Sequence, residues 1–525
     1  MMNRRLFLTT ELLLITFLVL NFYDIAFADD GVSRSLLKGG GFLCAILGVI
    51  GISIAGYLTG KSYDSYTGWE RYTHGAAMFF NRKPFRKNKP TYGVTDKTRR
   101  VNWEENINGR LKTMMHLMMP PDGSPAKWTP EQGSEALPEP YRTFFLEHDD
   151  KYQLTLEAFR LIKKQQEEWP KYADRYAIID AWSNALGNIF EDWQGHPWAD
   201  TAMYPPEPQG PPEEWDYRGI HRDNPLEFKS PDHAAQLIKK ITHTFGASLV
   251  GITKLNPDWC YQGHLRGVGD VQWEVPKHWE YAIVFATTHE WDQFYVNPNY
   301  GTSFDAYSYC RIIAGRLENF IHELGYPARH HVPPYYYELM MPPVAIDAGL
   351  GQQARTGLCL TPETGGNARL ACVTTNIPMT VDKPIDFGVT EFCRKCKICA
   401  EACPTGAIPH SEEPGVVYGY KRWKIKDELC FNTWASTAGS KIGRGCRICL
   451  AVCPYSRKNN WIHSLSRQID PRDPTGFVSS MLLWMQKRFF KYPKARDFLP
   501  PANKTYHQPP EWLKTEDWFK VNKNW

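Results

Sequence analysis

Two cysteine runs constrain this chain more than any other feature: FCRKCKICAEACP at residues 392–404 and GRGCRICLAVCP at residues 443–454. The first has complete CxxCxxCxxxCP spacing, whereas the second has Gly443 where a repeat would place its first cysteine. Seven of the thirteen cysteines fall at these spacings, which favours metal ligation over a disulfide framework. A four-iron cluster needs four thiolates on one cube. CxxCxxC aims three sulfurs inward from one short loop, and in two-cluster modules the cysteine before proline serves the other cluster. That logic groups Cys393, Cys396 and Cys399 with Cys453, and sends Cys403 to join Cys446 and Cys449. One ligand is then missing. Cys430, in KDELCFNTW, is the only cysteine left between the two runs and is assigned to the second set. Cys-Pro in both halves favours clusters over two zinc sites. Cys44, Cys260, Cys310, Cys359 and Cys372 read as small buried hydrophobes.

Such a pair of clusters moves single electrons, so the rest of the chain must hold whatever consumes them. With 525 residues, 42% hydrophobic and 14% aromatic, the chain can build two to four structural units with a large core. A formal net charge of +4 is too small at this length to mark a nucleic-acid surface.

At the N-terminus, residues 39–60 run for 22 positions without a charge between Lys38 and Lys61, long enough for a transmembrane helix. The earlier apolar stretch from Leu6 is interrupted by Glu11 and Asp24, and reads as a second span or a signal. Arg4 and Arg5 before Leu6 resemble a twin-arginine export signal, with Ala26-Phe27-Ala28 as a cleavage site. Against export, the segment after the span carries Lys61, Arg71, Arg82, Lys83, Arg86, Lys87 and Lys89, and positive flanks stay inside. The expectation is an inner-membrane anchor with the large domain in the cytoplasm; export is the rival.

Further along, residues 64–140 are rich in Pro, Gly, Arg and Trp and read as an irregular arm, followed by helical spacing over residues 154–193. The Pro- and Gly-rich residues 196–215 mark a boundary. Then comes an amphipathic helix over residues 230–246, with Ser230 as N-cap and Pro231 in its first turn, leading into the short strand SLVGIT. A strand EYAIVFAT, a helix over residues 304–324 ended by Gly325, and a further strand LACVTTNIP complete an α/β or α+β pattern.

VDKPIDFGVTEFCRKCKICAEACPTGAI, together with ELGYPA at Glu323, MPPVAIDAGLGQ at Met341 and ETGGNARLACVTTNIPM at Glu363, closely resembles the corrinoid-dependent reductive dehalogenases. The resemblance covers residues 216–461, nearly half the chain; the apolar run at 39–60 lies outside it and, read by itself, makes this a membrane-anchored variant. The resemblance implies an α+β fold: a nitroreductase-like core binding a base-off corrinoid (cobalamin), followed by a ferredoxin-like module with two [4Fe-4S] clusters. The resulting division is a membrane anchor over 1–62, an arm and helical cover over 63–215, the cobalamin-binding core over 216–385, the cluster module over 386–460 and an extension over 461–525. No DxHxxG motif for histidine ligation of cobalt occurs; the nearest pair, Asp232-His233, continues Ala-Ala-Gln.

By the same resemblance, a tyrosine above the cobalt protonates the carbon that loses halogen. Counting back from Tyr326 it falls on Tyr307 in DAYSYC, with Tyr309 as fallback, and the family's arginine falls on Arg369. A phenol near its ordinary pKa of ~10 needs a neighbouring cation to favour its anion. Where many members carry Asn or Lys, this chain reads PPYYYELMMPP, so Tyr335, Tyr336 or Tyr337 takes that place. Gly349, Gly351 and Gly357 in IDAGLGQQARTG are assigned to corrinoid contact, Tyr336 to the cofactor pocket, and His330 and His331 to a structural or cofactor-tail role. Trp182, Trp193 and Trp198 are candidates for an apolar entrance.

The function implied is reductive dehalogenation of an organohalide. A quinol-linked or ferredoxin-like donor would feed the second cluster, then the first, then cobalt, or the two clusters in reverse. The alternatives are an epoxyqueuosine-reductase-like enzyme, opposed by the span and the absent basic surplus, and a non-catalytic membrane electron carrier.

Overall fold

The structure, a computed structural model, describes residues 85–88, 94–118, 120, 123–168, 224–262, 264–265, 272–273, 275–289, 291, 294, 301–333, 338–436, 446–457 and 461–489. The expected membrane anchor, the three entrance tryptophans, Gly443 and the tyrosines at 335–337 lie outside the described residues. Among the described residues, no helix is long and apolar enough to cross a membrane.

Helix α1 spans Ile107–Met118 and α2 Asp149–Glu168. Next come α3 (Pro231–Thr244), strands β1 (Leu249–Lys254) and β2 (Tyr281–Thr287), α4 (Gly301–Glu323), β3 (Ala328–His331), α5 (Met341–Asp347) and β4 (Arg369–Thr375). The cysteine-bearing segment adds α6 (Val389–Lys395), α7 (Ile398–Ala402), α8 (Asp427–Ser436) and α9 (Ile448–Ala451). Two further helices follow, α10 (Trp461–Ile469) and α11 (Phe477–Phe489). The described residues from Phe85 to Arg457 and from Asp470 onward fall in one compact unit, so arm, sheet and cysteine segment share it; α10 belongs to a second unit.

At the centre is a four-stranded antiparallel sheet in the order β1-β2-β4-β3. Its two inner strands read YAIVFAT and RLACVTT, and beyond their first residues they are buried throughout, because helices cover both faces. Period-two alternation sorts their side chains. Ala282, Val284, Ala286, Leu370 and Cys372 pack with Val344, Ala345 and Ala348 around α5. Ile283, Phe285, Ala371 and Val373 pack against Ala234 and Ile238 of α3 and Cys310, Ala314 and Leu317 of α4. Three of the expected elements hold closely: Ser230 caps α3 by accepting from the His233 N–H at 3.1 Å, and α4 and β4 fall where the spacing put them.

The arm departs from expectation. Rather than being irregular throughout, it builds a small core of its own, in which Trp103, Met114, Leu117, Trp128, Tyr141 and Phe145 are buried together. α2 packs against α8, the helix that carries Cys430, and Arg110 of α1 reaches Glu428 at 2.5 Å with both side chains buried.

Candidate active site and iron-sulfur centres

β4 opens with Arg369, whose odd parity along the strand turns it to the face covered by α4. Tyr307, on the first turns of α4, is buried, and the Arg369 guanidinium lies over its ring at 4.6 Å from the centroid. The expected tyrosine and arginine therefore meet. Such a cation over a desolvated ring is worth about 1–2 kcal/mol. The pair is braced from behind: Thr287, the β-ladder partner of Arg369, shares a hydrogen bond of 3.4 Å with Cys310, and burial pushes that thiol up to about 11. Tyr309 is 54% exposed, which removes the fallback proton donor.

Tyr307 and Arg369 line a cavity of about 360 Å³. Four cysteines share its wall: Cys403, Cys430, Cys446 and Cys449. The other four, Cys393, Cys396, Cys399 and Cys453, surround a separate space of about 20 Å³. This is the partition that the Cys-Pro rule and the reassignment of Cys430 require. Among the described residues, no three His, Cys, Asp or Glu side chains form a site for a single metal ion. The sulfurs instead ring two voids, which suits donor sets for two four-iron cubes. Burial pushes the Cys396 and Cys446 thiols up to about 12, so iron must displace their protons when it binds.

The remaining wall of the larger cavity is mostly apolar, with Met341, Pro342, Leu358 and Leu370 among it, and its polar members include His289, Asp427 and Arg447. Leu358 is 40% exposed and marks the mouth. His289 is held by its backbone, which exchanges two hydrogen bonds of 3.0 Å with the buried Asn367 side chain. Neither residue was singled out in the sequence, although Asn367 is the first residue of the NARL stretch. For a corrinoid, the wall's character fits the reacting face of a flat apolar cofactor.

Several expected cofactor contacts lie elsewhere. Gly349, Gly351 and Gly357 are absent from the cavity wall, and at Gly349 and Gly351 the space where a Cβ would stand is filled by the chain itself. A Cβ on Gly351 would sit 2.0 Å from the Leu360 carbonyl oxygen, and one on Gly349, at φ +73°, 2.6 Å from that of Lys383. These glycines serve close backbone packing. His331 is fully buried, bonded through Nδ1 to Glu338 and through Nε2 to Thr374 Oγ1 at 2.9 Å, and its neighbour His330 bonds to Glu318; both are structural. His233 lies on α3, away from the cavity wall.

A family model described as "4Fe-4S dicluster domain" matches residues 392–457. The tetrachloroethene reductive dehalogenase of Sulfurospirillum multivorans is 30% identical over 340 residues, 57% of this chain and 64% of that one. The resemblance to reductive dehalogenases is borne out. A solved reductive dehalogenase, described as suggesting "a mechanism for B12-dependent dehalogenation", superposes with a TM-score of 0.54 at 18% identity, over 84% of this chain and 55% of that one, and so shares the fold. The likeness to epoxyqueuosine reductase from Bacillus subtilis is narrower, 30% identity over 28% of this chain and 36% of that one. This reductive-dehalogenase-like chain thus spans less than two thirds of the length of the relatives it matches. Residues 392–457 are its two-cluster segment.

Proposed function

We propose that this chain is an oxidoreductase that removes halogen from an organic substrate, R–X + 2e⁻ + H⁺ → R–H + X⁻. The observation that carries the reading is the shared cavity: a buried tyrosine under a guanidinium, in the same wall as four cluster thiols. A corrinoid bound there would supply the low-valent cobalt that cleaves the carbon–halogen bond. Tyr307 holds the proton at its phenol oxygen and delivers it to carbon. Arg369, stacked over the ring, sets a positive charge beside the group on which negative charge develops as the proton leaves. Met341, Pro342 and Leu370 keep the space apolar, which suits a small uncharged organohalide and excludes water from competing for the proton.

The cavity lining supports the order in which the second cluster lies nearer the reaction site. Because Cys403, Cys430, Cys446 and Cys449 border the Tyr307 cavity and the other four cysteines do not, electrons pass from the donor to the first set, then to the second, then to the reaction site. The donor is quinol-linked or ferredoxin-like. Residues 39–60 tether the chain to the inner membrane with the catalytic part in the cytoplasm; what supports this is the charge-free apolar run between lysines. A C-terminal reporter active on only one side of the membrane checks the last point, and a signal from outside would overturn it.

The test of the main reading is metal and cofactor content. Protein reconstituted with iron, sulfide and a base-off corrinoid should hold about eight irons and one cobalt per chain and show a corrinoid absorption band. Eight irons with no corrinoid would reduce the chain to an electron carrier.

A further inference from the structure

Beside the first cysteine set sits a charge that the proposed reaction does not use. Arg355 is fully buried, and its side chain lines the same small space as Cys393, Cys396, Cys399 and Cys453. Its Nε donates to the carbonyls of Cys393 and Cys396, both at 3.2 Å. Its Nη1 donates to Pro409 O at 2.8 Å and to Ser411 O, and its Nη2 to the carbonyls of Cys393 and Arg394. The flat face lies over Trp423 at 5.1 Å. Among the described residues every partner of this guanidinium is a carbonyl or a ring, with no carboxylate in the set. Burying a cation without an anion is costly, so the fold retains it against a penalty.

The missing anion is supplied by the cluster itself. Four thiolates around a four-iron cube leave a net negative charge, and reduction adds one more. In a closed, low-dielectric pocket that added charge is disfavoured unless a cation stands close by. The second pocket is arranged differently: its wall carries a carboxylate, Asp427, alongside Arg369 and Arg447, whereas Arg355 is the one charged side chain among the described residues lining the first. The asymmetry lies on the side where the relay would receive electrons.

We propose that Arg355 is the residue that sets the reduction potential of the first cluster, raising it so that the buried cube accepts an electron. This rests on the reading of the two cysteine sets as four-iron clusters. A purely mechanical clamp on the loop is the competing role, and potential separates the two, because a clamp needs hydrogen-bond donors whereas tuning needs charge.

EPR-monitored redox titration of the reconstituted full chain is the experiment, with iron counted for every variant. The two signals are assigned by comparison with Cys430→Ser, which keeps the first cluster. In Arg355→Gln, which retains donors but no charge, the first cluster's equilibrium constant for reduction should fall at least about tenfold, ~59 mV for a one-electron couple, while the second stays put. Arg355→Lys should hold the wild-type potential. An Arg355→Gln protein with full iron and unmoved potential overturns the proposal. If Arg355→Gln loses the first cluster, Arg355→Lys decides: a cluster at wild-type potential supports charge, whereas a cluster whose potential has dropped tenfold, or loss in both variants, leaves only a clamp and refutes tuning. Wild-type protein that binds no iron would instead fail the cluster reading itself.

Discussion

The two cysteine pockets use related motifs and make opposite environments. The first is a closed space of about 20 Å³, its loop carbonyls gathered by one buried guanidinium. The second opens into a cavity of about 360 Å³ that contains Tyr307 and Arg369, and its fourth thiol comes from outside the motif, on a helix that the N-terminal arm holds in place. The difference teaches why Gly443 can stand where a cysteine is expected. In the proposed assignment, taking the fourth sulfur from α8 frees one side of the second cluster to face the Tyr307 cavity, and it makes that cluster dependent on α2 and Arg110.

That dependence can be broken from either end. The largest effect is expected for Cys430→Ser, which should lower bound iron from about eight to about four per chain or leave a three-iron EPR signal; Cys453→Ser should remove the other cluster. Full iron in Cys430→Ser would return the ligand to the segment around Gly443. Arg110→Ala leaves the buried Glu428 with the more distant Lys151, at 3.7 Å, and should cost about 3 kcal/mol in denaturant unfolding, with the second cluster lost before the first on dilution into chelator. Gly351→Ala, by forcing a methyl against the Leu360 carbonyl, should cost about 1–3 kcal/mol and leave cofactor affinity per folded molecule unchanged. A selective loss of corrinoid affinity there would restore the glycine to the cofactor wall.

The smallest effect is a pH dependence. Burial pushes the His331 imidazole below its ordinary value, against the pull of Glu338. The unfolded chain therefore takes up that proton first, so the stability contributed by neutral His331 is present above about pH 6.5 and is lost as pH falls toward the folded value, at most about 1.4 kcal/mol per pH unit. Replacing His331 with Gln should flatten the slope of unfolding free energy between pH 7 and 5; an unchanged slope would assign it to other groups.

Much of this was legible in the sequence where the pattern is local or repeats a known order. The strand YAIVFAT and the capped helix after Ser230 announce themselves by period and by capping chemistry, and the cysteine spacings sorted the eight thiols into the two sets that the fold brings together. Tyr307 and Arg369 came from the family order, 62 positions apart, and strand parity explains why they meet. What could not be read were contacts made by long-range packing. α1 begins with Asn-Gly after its first residue and lacks a clean apolar stripe until Trp128 and Tyr141 fold over it. Arg355 lies in the very stretch read for its glycines, but its partners are carbonyls 38 to 56 residues away. The glycines carry a signal that sequence cannot resolve, because an absent Cβ admits a neighbouring backbone as readily as a ligand, and at Gly349 and Gly351 the fold shows the neighbouring backbone.

The central claim is that the second cluster faces a cavity in which Tyr307 supplies the proton for halogen removal. Halide release by reconstituted protein under a strong one-electron reductant, measured with a panel of small chlorinated and brominated substrates for wild type and Tyr307→Phe at equal iron content, tests it most directly. The wild type should release halide, with a loss of about 10²-fold or more in Tyr307→Phe. Equal release by both proteins, or none by a wild type carrying iron and corrinoid in full, would contradict it.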